Sequence, residues 1–530
     1  MTYKVLVADN LADEGLDLAR QFDQIDLVQA PGLDEDQLVE AVADVHAIVV
    51  RSGARITARV MAAASNLKVV GRAGIGVDNI DVTAASLQGV LVMNTPLANT
   101  VSTAEHALAM MFALARMVPA ADKTMKEGLW EKKQFKGVEL SRKTLGIVGL
   151  GKIGQVVAGR ARGLKMKVVA ADPFVPEELA NRLGIELLDL DTLIERSDFI
   201  SIHAPRTDKT TGLLNKENLS RARDGLRLIN CARGGIVDEE GLLHWLEQGK
   251  IAGAALDVYA TEPPETGHSL VGHPNVICTP HIGASTAEAQ VNVSVEIFEQ
   301  IISYLAEGRI INAVNLPSIS LEDEAALRPY IQLLSRMGAF QAQTLPARLR
   351  SIEILYKGKL ASLDLTYCTN SFLAGYLGVF SDAPVNLVNA ADAARQAGLN
   401  FKVSRMEKSS YFASTVETTC HCAGGISYTV TGAIVGLDEP RIVAIDGQRV
   451  DVRPSGVQLV IENQDTPGVV GKVGTILGDG QVNISQMQLA LNRKTGHATA
   501  VFSLDSRPDK AVLGQLKALP ELLTVKVVIL

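Results

Sequence analysis

A chain of 530 residues, 47% hydrophobic and 21% charged, is more than one core normally serves, and three or four domains are expected. A formal charge of −8 with no basic stripe argues against nucleic acid as a partner, and five cysteines spread over the chain suit a reducing compartment better than a disulfide framework. The start MTYKVLVAD enters a strand pattern without a signal peptide's apolar core, and no apolar run nears membrane-spanning length, so the expectation is a cytoplasmic protein with no membrane partner.

In chain order, KVLVAD (4–9), AIVVRS (47–52), LKVVGRAG (67–74) and VLVMN (90–94) are short β-branched runs separated by helical stretches, the pattern of a small parallel-sheet domain. The segment TVSTAEHALAMMFALARMVPAADK reads as one long helix bent at Pro119. A second strand series follows (TLGIVGL, KVVAAD, FISIHA, LRLINCA, GAALDV, VICTP), continuous enough for a parallel sheet covered on both faces. After it, AEAQVNVSVEIFEQIISYLAEG is another long helix and INAVNLP returns to an extended chain. The first domain is therefore expected to be interrupted: residues 1–97 and 286–316 form one lobe, and 98–285 form a nucleotide-binding lobe inserted into it.

The insertion carries Gly149-x-Gly151-x-x-Gly154 directly after a strand and at the opening of a helix. Gly149 suits the tight turn, Gly151 the approach of a pyrophosphate to the backbone, and Gly154 close helix packing, with the helix N-terminus attracting the anion. Asp172, at the end of the next strand, is placed to accept from a ribose 2′-hydroxyl and to repel a 2′-phosphate, which favours NAD over NADP. Arg233 in NCARGG, Asp257 and Glu262 in LDVYATEPP, and His281 in TPHIGAST each lie at or just beyond a strand's carboxyl end, the side that faces the ligand crevice. Hydride transfer from a 2-hydroxy acid needs such a set: a base for the hydroxyl proton (His281), a carboxylate to fix its tautomer (Glu262) and a cation for the substrate's oxygens (Arg233).

The glycine fingerprint, ARGG, D-x-x-x-x-EP and PHIGAST, in that order, resemble the D-isomer-specific 2-hydroxyacid dehydrogenases over residues 1 to about 316. The resemblance implies catalytic places for Arg233, Glu262 and His281. It implies cofactor contacts at Lys152, Ile153, Asp172, Ala232, Asp257, Gly283 and Ala284, beside the glycines Gly149, Gly151 and Gly154. VVRSGARIT and GRAGIGVDNID match substrate-side loops, placing Arg51, Ser52, Gly74 and Gly76 near the substrate. The second string points to members that oxidise 3-phospho-D-glycerate. For its phosphate, Arg51 and the stretch Trp130 to Lys133, with Lys132 foremost, are the expected cations, the latter reaching a neighbouring subunit's cleft.

Residues 317–453 resemble the intervening domain of the long members of that family, β-rich with a helix near AADAARQAG. There Cys420-His421-Cys422 alternates like a strand and reads as structural, so no metal site is expected; Arg441, Arg449 and Arg453 are either an anion patch or a solvated charged face. Residues 454–530 read as a βαββαβ unit and resemble an ACT domain, a sensor of small ligands. Its D-x-P-G turn begins at Asp465, which with Asn483 matches ligand-holding places, while Asn463 stands where serine-binding relatives commonly carry an aromatic residue.

The fold class expected is thus α/β: two Rossmann-like doubly wound lobes, the first discontinuous, then an α+β intervening domain and an ACT-like end. The function implied is NAD-dependent oxidation of 3-phosphoglycerate in a homo-oligomer (dimer or tetramer), with L-serine as the candidate feedback effector. The alternatives are a hydroxypyruvate or glyoxylate reductase with a fused regulatory domain, and a nucleotide-sensing corepressor on the same fold; the Arg, Glu, His set and the ACT-like end favour the enzyme.

Overall fold

The computed structural model describes residues 2–317, 319–381, 383–409, 411–492 and 496–530. Its first sheet is parallel, built from β1 (Tyr3–Val7), β2 (Ile25–Gln29), β3 (Ala47–Val50), β4 (Val69–Arg72) and β5 (Leu91–Asn94) in the order β2-β1-β3-β4-β5. Strands such as AIVV are buried along their whole length, as expected where helices cover both faces. One cover comes from far along the chain. Helix Ala287–Glu307 contributes Val293, Ile297, Phe298 and Ile301 to this core, and its Ser294 hydroxyl donates to the Ala12 carbonyl at 3.1 Å beside helix Asp13–Arg20.

The second sheet is also parallel: β6 (Thr144–Val148), β7 (Lys167–Ala171), β8 (Glu186–Leu187), β9 (Phe199–Ile202), β10 (Leu226–Asn230), β11 (Ile251–Leu256) and β12 (Val276–Cys278), ordered β12-β11-β10-β9-β6-β7-β8. The order reverses between β9 and β6, and such a switch point opens a crevice beyond the strands' carboxyl ends. The expected single helix from residue 100 is two, Thr100–Arg116 and Val118–Lys126. The break is at Met117, which takes φ 55, while Pro119 sits in the first turn of the second helix, where its missing N–H costs nothing. Helix Thr100–Arg116 packs Ala104, Ala107, Met111 and Leu114 into the core of the second sheet.

The third sheet is mixed: β13 (Leu349–Gly358), β14 (Asn400–Met406), β15 (Ser414–Cys422), β16 (Ser427–Val435), β17 (Glu439–Ile445) and β18 (Gln448–Val452), with β13 and β14 parallel and the remaining pairs antiparallel. Cys420 and Cys422 point into its core and His421 to the other face, where Nδ1 lies 3.0 Å from the Ser427 hydroxyl. Two helices absent from the sequence reading cover the sheet, Leu321–Thr344 and Thr366–Leu377. The first hides an internal Pro329, and the second is buried almost all round, so neither presents an amphipathic stripe.

The fourth sheet is antiparallel, β19 (Val457–Gln464), β20 (Ile484–Asn492), β21 (His497–Leu504) and β22 (Leu522–Ile529) in the order β20-β21-β19-β22, with helices Val469–Asp479 and Lys510–Lys517 on one face. Its other face, through Val460, Ala490, Val501 and Val528, joins the core of the third sheet. The Lys526 ammonium donates to the Thr344 and Leu345 carbonyls, each at 2.6 Å, which closes the C-terminal end of helix Leu321–Thr344 with a cation on the negative end of its dipole.

The seat of helix Ala287–Glu307 on the first lobe is tight enough to test. A β-carbon at Gly15 would lie 2.5–2.7 Å from Ser294 atoms. Gly15→Val is expected to lower stability by about 1–3 kcal/mol, the usual cost of overpacking, read as a lower denaturant midpoint of the catalytic lobes; an unchanged midpoint would show that the two helices yield freely.

Candidate active site

At the end of β6 the chain turns through Gly149 at φ 92, whose amide donates to the Ala171 carbonyl at 3.0 Å. A side chain there would run into the backbone of His203 and Ala204 on the neighbouring strand's extension. Gly151 precedes helix Lys152–Gly163, and a β-carbon on it would meet nothing within 4 Å: the space beside it is open. Gly154 is the reverse case, since a β-carbon would overlap the Gly149 carbonyl oxygen. The turn thus leaves an uncapped helix N-terminus facing open space, a fit for the pyrophosphate of a dinucleotide. Asp172, at the end of β7, accepts from the Leu150 amide at 2.8 Å and the Phe174 amide at 2.9 Å. Its carboxylate therefore ties the glycine loop down and keeps further lone pairs for a ribose hydroxyl.

A cleft of about 460 Å³ opens between the two lobes. Of the anticipated residues, Gly76, Lys152, Ile153, Ala232, Arg233, Asp257, His281, Gly283 and Ala284 line it together. His281 takes φ 53, and its Nδ1 lies 2.7 Å from Glu262 Oε2. Burial works to raise the Glu262 carboxyl, but the His281 hydrogen bond, the Tyr259 amide and the charges of His281 and Arg233 outweigh it and hold Glu262 below the usual carboxylate range. An ionised Glu262 can only accept, so Nδ1 carries the proton and Nε2 is left with its lone pair for the cleft.

Asp257 fixes the loop that carries His281. Only 1% exposed, it accepts from Thr279 Oγ1 (2.6 Å), the Ile282 amide (2.8 Å) and the Gly283 amide (2.8 Å), and its Oδ1 lies 3.3 Å from Nε2 of His106 on the helix that runs into this lobe. Burial opposes its charge, and the bonds from His106, Thr279 and Ile282 more than offset it, leaving the carboxyl lowered.

Arg233 donates from Nη1 to the Ala232 carbonyl (2.7 Å) and from Nε to Asp78 of the other lobe (3.2 Å). Facing it is Arg72, at the end of β4, a residue the sequence reading passed over although it sits inside GRAGIG at the same strand-end position as the others. Burial first, and then the charge of Arg233, push Arg72 down to about 10, so it remains a cation at neutral pH, and its Nε is sealed from solvent with no partner among the described residues. Asp78, Asn99 and Arg206, which also line the cleft, were likewise not anticipated.

Other anticipated residues stand apart from the lining. Arg51 and Ser52 lie in a loop shaped by Asp9, which accepts from the Arg51 amide at 2.6 Å, and by Asn79, which donates to the Arg51 and Ala54 carbonyls. Gly74, at φ 144, lets the Arg72 guanidinium lie across it. Lys132 is exposed, beside a Trp130 that is 79% exposed, and does not line its own chain's cleft. In the fourth sheet's unit Asp465 and Asn483 are both exposed; the Asp465 amide donates to Gly496, the Asn483 amide to Asp505, and no hydrogen bond joins the two among the described residues. Asn463 is buried and turns back on the Gln464 carbonyl. Arg441 and Arg453 pair with Glu439, Arg441 also with Asp451, and Arg449 lies over the Tyr411 ring, so two of these arginines are engaged in ion pairs and the third in a ring contact.

Two measurements follow. Gly154→Ala should weaken NADH binding by about ten- to a hundredfold, the equivalent of 1–3 kcal/mol of overpacking, whereas Gly163→Ala on the same helix, which meets nothing within 4 Å, should leave it unchanged; fluorescence titration of both decides. His203 edges the cleft, yet its Nδ1 is sealed with no partner among the described residues, and burial pushes the ring down to about 4 from an ordinary 6.5. The folded state resists its protonation, so this histidine's stabilising contribution is whole above pH 6.5 and is lost as pH falls toward 4. His203→Gln should flatten stability against pH in that window; an unchanged slope would assign the acid sensitivity elsewhere.

Against known proteins, residues 108–283 match the NAD-binding domain of D-isomer specific 2-hydroxyacid dehydrogenases, and residues 326–446 the D-3-phosphoglycerate dehydrogenase intervening domain. The chain is 40% identical over 528 residues to D-3-phosphoglycerate dehydrogenase of Bacillus subtilis, covering 99% of both, and 40% identical over 518 residues to that of Archaeoglobus fulgidus, covering 97% of this chain and 98% of the relative. The crystal structure of Aquifex aeolicus D-lactate dehydrogenase with NAD and lactic acid superposes with a TM-score of 0.53 at 28% identity, covering 59% of this chain and all of that one. Similar to these dehydrogenases along nearly its whole length, the protein belongs to the D-3-phosphoglycerate dehydrogenases, NAD-dependent enzymes of the D-isomer specific 2-hydroxyacid dehydrogenase family.

Proposed function

We propose that the enzyme oxidises 3-phospho-D-glycerate to 3-phosphohydroxypyruvate with NAD, as the first step toward L-serine, in a cytoplasmic homo-oligomer whose ACT-like end senses L-serine. In this reading residues 1–97 and 286–316 form the substrate lobe, 98–285 the NAD lobe, 317–453 the intervening domain and 454–530 the regulatory domain. The observation that carries the chemistry is the 2.7 Å pair of His281 and Glu262 in a cleft shared with Arg233 and Arg72.

NAD supplies the hydride acceptor. His281 Nε2 takes the proton of the substrate's 2-hydroxyl, and Glu262 balances the imidazolium that results. Arg233 holds the carboxylate. The amides of Ile75, Gly76 and Val77, which line the same wall and donate no hydrogen bond among the described residues, add donors to it. Arg72 and Arg51 face the phosphate, with Lys132 of a neighbouring subunit as a third cation. An oligomer is supported by the exposed apolar side chains of Val101, Phe112, Val118, Met125, Leu129 and Trp130 along the segment after the first lobe. For regulation, a ligand near Asp465 and Asn483 acts at a distance, through a coupling free energy between arrangements of the domains.

His281→Ala should cut turnover by about 10² to 10⁴ while NADH binding, read by fluorescence, stays within a few-fold; full turnover would remove His281 from the role. Arg72→Ala should cost more with 3-phosphoglycerate than with glycerate, since only the former brings a phosphate dianion; equal losses would place the phosphate elsewhere. Truncation at Arg453 tests serine sensing, and retained inhibition in the shortened chain would locate the effector site outside the last domain.

A further inference from the structure

We infer that Asp78 is an internal stand-in for the substrate's carboxylate, occupying Arg233 until the substrate displaces it. The inference rests on the reading of Arg233 as the carboxylate's anchor. Asp78 belongs to the loop after β4 and Arg233 to the loop after β10, so the 3.2 Å contact between Asp78 Oδ2 and Arg233 Nε reaches across the cleft from one lobe to the other. Its two ends differ. The Arg233 side chain is 25% exposed and that of Asp78 is 72% exposed. An enclosed guanidinium gains from any anion that meets it, whereas a carboxylate at the rim loses little on turning to water, so the pair is built to open from the Asp78 side.

The fork is also only partly used. Nη1 is held by the Ala232 carbonyl and Nε by Asp78, while Nη2 lies directly over Gly76, where any β-carbon would overlap it. Only a glycine lets the guanidinium sit this close to the amides of residues 75–77, which donate no hydrogen bond among the described residues. An anion entering the cleft can accept from the guanidinium and from those amides together, whereas Asp78 accepts from Nε and, among the described residues, takes no hydrogen bond from the amides. The negative charge of Asp78 also acts on the buried Arg72, so one carboxylate moderates both cations while the cleft holds no substrate. By occupying Arg233 in the free enzyme, Asp78 raises KM without touching the reacting atoms, which makes it a residue that tunes affinity.

The test compares full-length Asp78→Asn and Asp78→Glu with the parent. Asparagine keeps the shape and removes the charge, so KM for 3-phosphoglycerate should fall about two- to fivefold, the range for a partly exposed ion pair, with the gain in kcat/KM coming through KM. Asp78→Glu, which restores the charge, should bring KM back toward the parent. Calorimetric titration of the NADH-loaded proteins with oxalate, a two-carbon dicarboxylate with no phosphate, should show the same tightening in Asp78→Asn. A higher KM with a lower kcat, or weaker oxalate binding, would mean that Asp78 holds Arg233 in its working position and would overturn the inference. A parent that turns over no 3-phosphoglycerate would refute the substrate assignment instead, and the oxalate titration would still decide the role of Asp78.

Discussion

The arrangement turns on a buried negative charge. Asp257, at the end of β11, is nearly sealed from water and survives as an anion because four donors converge on it. Three belong to the strand and loop leading through His281, and the fourth is a histidine on the helix that runs into the NAD lobe. Breaking any one leaves the others to support a desolvated charge, so the set is held or lost together. His281 is a non-glycine residue in the left-handed region, and the amides of the two residues after it donate to Asp257, which fixes the turn. Glu262 then needs only to meet a ring already in place.

The second constraint is steric. The glycine turn must pass under the extension of the neighbouring strand at Gly149 and let the helix settle on the Gly149 carbonyl at Gly154, while Gly151 is left uncrowded. Across the cleft, Gly74 and Gly76 lie beneath the guanidinium groups of Arg72 and Arg233. Of these places Gly151 alone leaves open space; backbone occupies what a side chain would need at Gly149 and Gly154, and the two guanidinium groups occupy it at Gly74 and Gly76.

Much of this was legible in the residues. The two strand series, the glycine spacing and the placement of Arg233, Glu262 and His281 after apolar runs determine the architecture and one part of the cleft, because parallel sheets bury their strands as unbroken apolar stretches and expose function only at one end. What escaped reading is what depends on tertiary partners. Arg72 looks like a terminal strand residue until the loop folds it over Gly74. Asp78 looks like a surface acid until the other lobe brings Arg233 to it. The break at Met117 follows from a left-handed residue with no local signature, the visible proline having only marked the neighbourhood. Helix Leu321–Thr344 is covered by sheets and helices from several sides, which erases the amphipathic period by which helices are found.

The interrupted first lobe has a consequence for how the chain is made. Its sheet is complete once residue 94 has emerged, yet one face waits for helix Ala287–Glu307. At about 5–20 residues per second, the roughly 190 residues between them take on the order of 10–40 s to synthesise. During that interval the inserted lobe, whose strands and covering helices lie within one continuous stretch, can fold to completion. The lobe that begins the chain is then the later of the two to close, with an exposed apolar sheet face that the nascent chain, or a chaperone, must shield until its last helix arrives.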